Sequence, residues 1–191
     1  MKLKLSVSEY ENLWQTDPRR YGCIPVALVS DSLQIGIREV LSLIEKGALE
    51  CLEIGGHSEP MVTLRSLLIF KSARASIAQD RSLRIQEILT EAARRRKTLL
   101  YGEVMQALGL TYADAMQREI FKKDLREATR RSELFAHGLL ISALLVYKIQ
   151  FIPDDDFFLM AQELGLFTPG KDSKTVFFKD QLDRIFEYYN K

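Results

Sequence analysis

The chain is poor in the residues that build metal and redox centres. Its 191 residues include two cysteines and two histidines, and Cys23 and Cys51 lack the companion Cys/His spacing of a zinc site. Both cysteines lie inside apolar patterns and are expected to be small buried side chains, with a disulfide between them left open. Long hydrophobic runs are also missing. The longest, Leu139 to Tyr147, is interrupted by Ser142, suits a buried strand, and falls well short of the roughly 20 apolar residues of a membrane span. Met1-Lys2-Leu3-Lys4-Leu5-Ser6 has no apolar run followed by a small-residue cleavage site, so a cytoplasmic location and no membrane partner are expected. No Gly-rich phosphate loop occurs, since the Gly55-Gly56 pair is too short and too hairpin-like. A net charge of +1 argues against a protein that coats nucleic acid by bulk electrostatics.

What the chain does contain is a high apolar fraction: 47% hydrophobic residues beside 28% charged ones. That is enough to offset the entropy of ordering the chain, and its length allows one large core or two small ones. The charge is unevenly spread. Residues 1–77 are balanced, residues 78–132 carry a net +4, and residues 133–191 a net −3. Any phosphate-facing surface is therefore local, and the middle third is where to seek it.

Hydrophobic spacing predicts a short helix at 8–16, opened by Ser8 and stopped by Asp17-Pro18. A second helix is expected from Ile24 to Leu33, with Pro25 in its first turn, then a break at Gln34-Ile35-Gly36. Ile37, Val40, Leu41 and Ile44 form the stripe of a helix with one buried face, and Gly47 sits where a left-handed cap belongs. The period then shifts towards two. Leu49 to Ile54 and Met61 to Thr63 read as a hairpin, with Gly55 to Pro60 as its turn. A helix from Leu64 to about Ala75 follows, and falling apolar density at 74–80 marks an expected boundary. Beyond it come a helix at 81–97, a short extended piece at 99–101, a helix at 102–109 closed by Gly109, and a longer helix at 114–135. A strand at 138–148 and helices at 155–165 and 173–189 complete the series. The expected class is mainly α with small β-hairpins: residues 1–76 as one domain and 77–191 as an α-rich (α+β) second domain.

Ser30-Asp-Ser-Leu-Gln-Ile-Gly-Ile-Arg-Glu-Val-Leu-Ser-Leu-Ile-Glu-Lys-Gly-Ala-Leu49 resembles the excisionase/MerR-like winged helix-turn-helix modules. Ile35, Val40, Leu43-Ile44, Glu45-Lys46, Gly47 and Leu49 fill the places of their pattern, and Glu53-Ile-Gly-Gly with Met61 to Phe70 looks like their wing and following helix. The resemblance covers residues 24–70. It implies a recognition helix at 37–46 that enters a major groove and a wing that touches the backbone. The residues it nominates are Arg38, Glu39, Ser42, Glu45 and Lys46, with His57 and Ser58 in the wing. The chain departs from the pattern at Gly36-Ile37, where polar and basic residues are usual, and in the arginine-free turn His57-Ser58-Glu59. Few phosphates can be neutralised by so few cations.

The missing positive charge lies further on. Arg94-Arg95-Arg96-Lys97 is either an ordinary basic helix end, favoured by the dipole, or a phosphate clamp. Lys122, Lys123, Arg126 and Arg130 share roughly one helical face, with Glu119, Asp124 and Glu127 interleaved as intrahelical partners. Thr98-Leu-Leu-Tyr-Gly-Glu-Val-Met-Gln-Ala-Leu-Gly-Leu110 is similar to the Thr-x-x-Tyr-Gly-Glu opening of the DNA-binding part of alkyltransferase-like proteins. Their reactive Pro-Cys-His-Arg segment is absent, so a second helix-turn-helix-like unit is implied and methyl transfer is not.

No catalytic constellation stands out. His57 and His137 have no nucleophile placed beside them by sequence, and Asp154-Asp155-Asp156 reads as a helix N-cap rather than a cation site. The sequence reading is a non-enzymatic, sequence-specific double-stranded DNA-binding regulator without cofactor or small-molecule ligand. It is expected to act as a homodimer, through the aromatic face Phe178, Leu182, Ile185, Phe186 and Tyr189 or the second domain. The rival reading is an adaptor that uses the same fold to bind protein.

Overall fold

The computed structural model describes residues 5–17, 22–52 and 60–190. The protein is mainly helical, with two small sheets among the described residues. It divides into two compact units, Met1–Ile77 and Ala78–Lys191, each with its own hydrophobic core. No helix among the described residues is long and apolar enough to cross a membrane.

In the first unit, α1 (Val7–Thr16) is capped by Ser6 rather than Ser8. The Ser6 backbone N–H donates to the Glu9 carboxylate (2.7 Å) while the Ser6 hydroxyl accepts from the Glu9 N–H, a reciprocal capping box that Ser8 is placed too late to make. Cys23–Pro25 is a strand, β1, and not helix; α2 begins one residue later (Val26–Leu33), with Pro25 as its N-cap. A proline at that point cannot continue a helical ladder backwards, and its fixed φ suits the extended-to-helical switch. After α3 (Ile37–Glu45) come β2 (Cys51–Leu52) and β3 (Met61–Thr63). The sheet order is β1-β3-β2, antiparallel throughout, with Ile24 opposite Val62 and Cys51 opposite Val62 on the other side. The core joins Ile24, Val29, Val40, Leu49, Val62 and Leu67, with Trp14 of α1 packed on it. Cys23 and Cys51 are half-buried free thiols, not fully buried ones. They lie on strands separated by β3, which explains why they are not bridged. Burial, then Glu50 and Cys51, pushes the Cys23 thiol up.

The helices expected from Leu64 to about Ala75 and at 81–97 are a single helix, α4, from Leu64 to Arg94, and the division between the two units, at 77/78, falls inside the expected boundary at 74–80. Residues 72–77 are all exposed, and they contain no Gly or Pro. Low apolar density there reflects a helix without a buried face, carried by good helix formers such as Ala73, Arg74, Ala75 and Ala78.

In the second unit, β4 (Leu99–Leu100) pairs in parallel with β5 (Leu145–Val146). Between them lie α5 (Tyr101–Ala107), α6 (Ala115–Arg131) and two 3-10 turns at Glu133–His137 and Ile141–Leu144; α7 (Asp155–Glu163) and α8 (Lys174–Tyr189) follow. The strand expected at 138–148 thus shrinks to two residues. Leu139 to Val146 are buried throughout, and an unbroken apolar run signals burial without specifying a strand. Here α8 reshapes the run. Buried Gln181 accepts from the Leu140 N–H (2.9 Å) and donates to the Gly138 carbonyl (3.2 Å). The aromatic face of α8 is spent in its own core: Phe178 and Ile185 are buried, and Leu182, Phe186 and Tyr189 pack against the same cluster. Of the five residues of that face, Leu182, Phe186 and Tyr189 remain partly exposed.

Candidate functional site

α3 is the best-defined candidate. Its entry is set by Gln34 in the left-handed region (φ 53), and the Ser30 hydroxyl donates to the Ile35 carbonyl (2.6 Å) across the turn. Its exit is set by Gly47 at φ +71. The Ala48 N–H donates to the Leu43 carbonyl and the Gly47 N–H to the Ile44 carbonyl, both at 2.9 Å, a Schellman closure that requires the left-handed residue. Both ends of a nine-residue helix are thus fixed by the turns that flank it.

The buried face of α3 differs from the expected stripe. Val40 is buried and Leu43 and Ile44 pack on the core, whereas Ile37 and Leu41 are exposed, at 52% and 38%. Five apolar residues in nine make an arc wider than one flat face can cover, so two are left outside. The outer face comprises Ile37, Arg38, Leu41, Glu45 and Lys46, with Glu39 and Ser42 half-buried beside it. His57 and Ser58 lie outside the described residues.

The other nominated cations belong to Ala78–Lys191, and Arg95, Arg96, Lys122 and Arg126 have local partners. Arg94 closes α4, and Arg95 pairs with Glu91 (2.7 Å). Arg96 is in the left-handed region (φ 52), with its guanidinium 5.7 Å from the centre of the Phe186 ring. Within the run Arg94 to Lys97, Arg95 and Arg96 are thus engaged locally, while Arg94 and Lys97 are exposed. Lys122 pairs with Glu119 (3.1 Å), and that bond raises its ammonium above the ordinary range. Lys123 and Arg130 are exposed. Arg126 is taken by α7: its Nε and Nη2 donate to the two oxygens of Asp156 (2.9 and 3.0 Å), with Glu163 at 3.3 Å.

Two acidic residues also differ from the sequence reading or add to it. Asp124 does not serve the lysines of its own helix; it is buried and accepts from Arg81 Nε of α4 (2.6 Å). Burial raises its carboxyl, against the pull of Arg81. Asp154 caps α7 by accepting from the Phe157 N–H (3.1 Å). It is buried, and that burial pushes its carboxyl up. The Tyr101 hydroxyl faces it without a hydrogen bond of ordinary geometry. Among the described residues no group of three or more His, Cys, Asp or Glu side chains could hold a metal ion. Sequence reasoning missed Gln181 and the Arg81–Asp124 and Arg126–Asp156 ties, because partners 41, 43 and 30 residues away leave no local spacing to read.

Compared with protein-family models, curated proteins and solved structures, the chain matches none.

Proposed function

We propose that the protein binds double-stranded DNA sequence-specifically, through a winged helix-turn-helix spanning residues 24–70 with α3 as the recognition helix. The observation that carries this reading is the placement of α3: its two ends are fixed by the turns that flank it, its inner face packs on the core it shares with the sheet and α2, and Arg38 on its outer face and Lys46 at its C-cap are exposed. The element order β1-α2-α3-β2-β3-α4 and the sheet order β1-β3-β2 agree with such a module. A rigid helix with an exposed guanidinium suits a guanine edge, and Ile37 and Leu41 are apolar partners for thymine methyl groups. One short helix reads few base pairs, so the protein acts as a dimer on two half-sites, in the manner of a transcriptional or mobile-element regulator.

The exposure of Ile37 and Leu41 also favours a second reading, in which α3 docks on a protein partner and DNA is not involved. A gel shift with mixed genomic fragments at about 50 mM salt, where phosphate contacts are strongest, separates the two. Retardation that Arg38→Ala abolishes supports DNA recognition. Absence of any retardation at that salt removes it.

A further inference from the structure

The second unit contains an open cleft of about 770 Å³ between the start of α5, Tyr112 and the segment after β5, a size typical of small-ligand sites. Its walls are aromatic. Tyr101 and Tyr147 stack with ring centres 5.0 Å apart and planes 26° apart, and Tyr112 faces the Tyr147 hydroxyl. Tyr112 is 43% exposed, yet it is held in place. Arg118 lies 5.6 Å over its ring and donates through Nη1 to the carbonyls of Tyr112 (2.6 Å) and Ala113 (3.2 Å). An exposed ring fixed in this way is a platform prepared in advance, whose ordering cost is met before anything binds.

The opposite rim is also held. The Tyr147 N–H donates to the Ile152 carbonyl (3.0 Å) and the Phe151 N–H to the Tyr147 carbonyl (2.9 Å). Phe151 is kept at φ 51, a left-handed conformation that a bulky aromatic residue adopts only under constraint. Besides the tyrosine hydroxyls, the polar side chains at the cleft are Glu103, Gln106, Lys148 and Gln150. Glu103 is engaged by the Leu100 N–H (3.3 Å). The side chains of Gln106, Gln150 and Lys148 make no hydrogen bond or ion pair among the described residues.

We propose that this cleft binds a nucleotide, its base lying on the Tyr112 and Tyr147 rings, its edge meeting the Gln106 and Gln150 amides, and its phosphate held by Lys148. Aromatic rings accept any base through its π-face. Amides both donate and accept, as a base edge requires. One unpaired ammonium beside the rings matches one anionic group. The same chemistry is presented by a free mononucleotide and by an unstacked nucleotide of a single strand. The site uses no residue of α3, so it stands or falls apart from duplex recognition.

The test is calorimetric titration of the full chain with adenosine monophosphate, adenosine, inorganic phosphate and a short single-stranded deoxyadenosine oligonucleotide, at about 50 mM salt. Saturable binding of the monophosphate in preference to adenosine and to phosphate is expected, or of the oligonucleotide if the natural source is a strand; the tighter of the two identifies the source. Tyr112→Ala and Lys148→Glu, both at exposed positions, are each expected to weaken binding about tenfold or more with unchanged circular dichroism, and Tyr112→Phe to retain it. The proposal is overturned if neither the monophosphate nor the oligonucleotide binds up to about 5 mM. It is equally overturned if phosphate alone binds as well as the monophosphate, or if both variants bind like the parent.

Discussion

Arg126 grips Asp156 with two nearly parallel hydrogen bonds, 2.9 and 3.0 Å, that tie α6 to α7. Planar fork-to-carboxylate pairing is directional as well as charged, and both side chains are about three-quarters covered. Arg126→Ala is expected to destabilise the protein by about 1–2 kcal/mol, with Arg126→Lys recovering little of it, in urea unfolding followed by circular dichroism. Lys123→Ala, at an exposed position without such a tie, should leave the midpoint unchanged within about 0.5 kcal/mol. Equal stability of the Arg126 and Lys123 variants would contradict the structural role.

The face that α3 buries makes a second contrast. Val40→Ala empties a fully covered site and is expected to cost about 2 kcal/mol. Ile37→Ala and Leu41→Ala, at exposed positions, should stay within about 0.5 kcal/mol of the parent. The reverse order in a denaturation series would overturn the assigned phase.

Much of the secondary structure was legible because local rules wrote it. Gly47 and Gly109 both hold positive φ at helix ends, as their place after apolar stripes predicts. Asp154 caps α7 as its position before Phe157 suggests. The sequence misled where long-range packing decides the outcome. The segment at 138–148 looks like a strand until Gln181 takes up the Leu140 N–H and the Gly138 carbonyl. Continuity through 74–80 was hidden because an exposed helix has no apolar period to show. The candidate site was half legible: Arg38 and Lys46 are exposed on α3, but Ile37 and Leu41 were placed on its wrong face.

Asp154 performs two tasks that substitution separates. Asp154→Ala removes an N-cap and is expected to cost about 1 kcal/mol. Asp154→Asn keeps an oxygen for the Phe157 N–H and removes a buried charge, so it should match or exceed the parent in stability near neutral pH. The pH dependence follows from burial, which raises the folded carboxyl above its unfolded value. Between those two values the folded state binds more protons, so this group's contribution falls as pH rises. Comparing the Asn variant with the parent across acidic pH should show the parent losing ground as pH increases; the opposite slope would contradict it.

At alkaline pH the tyrosines set the slope. Burial, first of all, pushes Tyr147 up to about 12 and raises Tyr101 as well, while an unfolded tyrosine ionises near 10. Between these values the unfolded chain has lost protons that the folded one keeps, so stability falls as pH rises. Ultraviolet titration of phenolate should show late-ionising tyrosines in the folded protein, and Tyr147→Phe should reduce the loss of stability above pH 10. A phenolate titration complete near 10 would refute the assignment.

The central claim is that the outer face of α3 reads duplex DNA, and the most direct measurement selects bound fragments from a random duplex pool and titrates the winning sequence against parent and Arg38→Ala, Lys46→Ala protein. The account predicts an enriched motif, binding that weakens steeply as salt rises from about 50 to 200 mM, and a loss of affinity of about tenfold or more in the double variant with an unchanged unfolding midpoint. A pool that yields no enriched motif, or a double variant that binds the selected duplex as tightly as the parent, would contradict it.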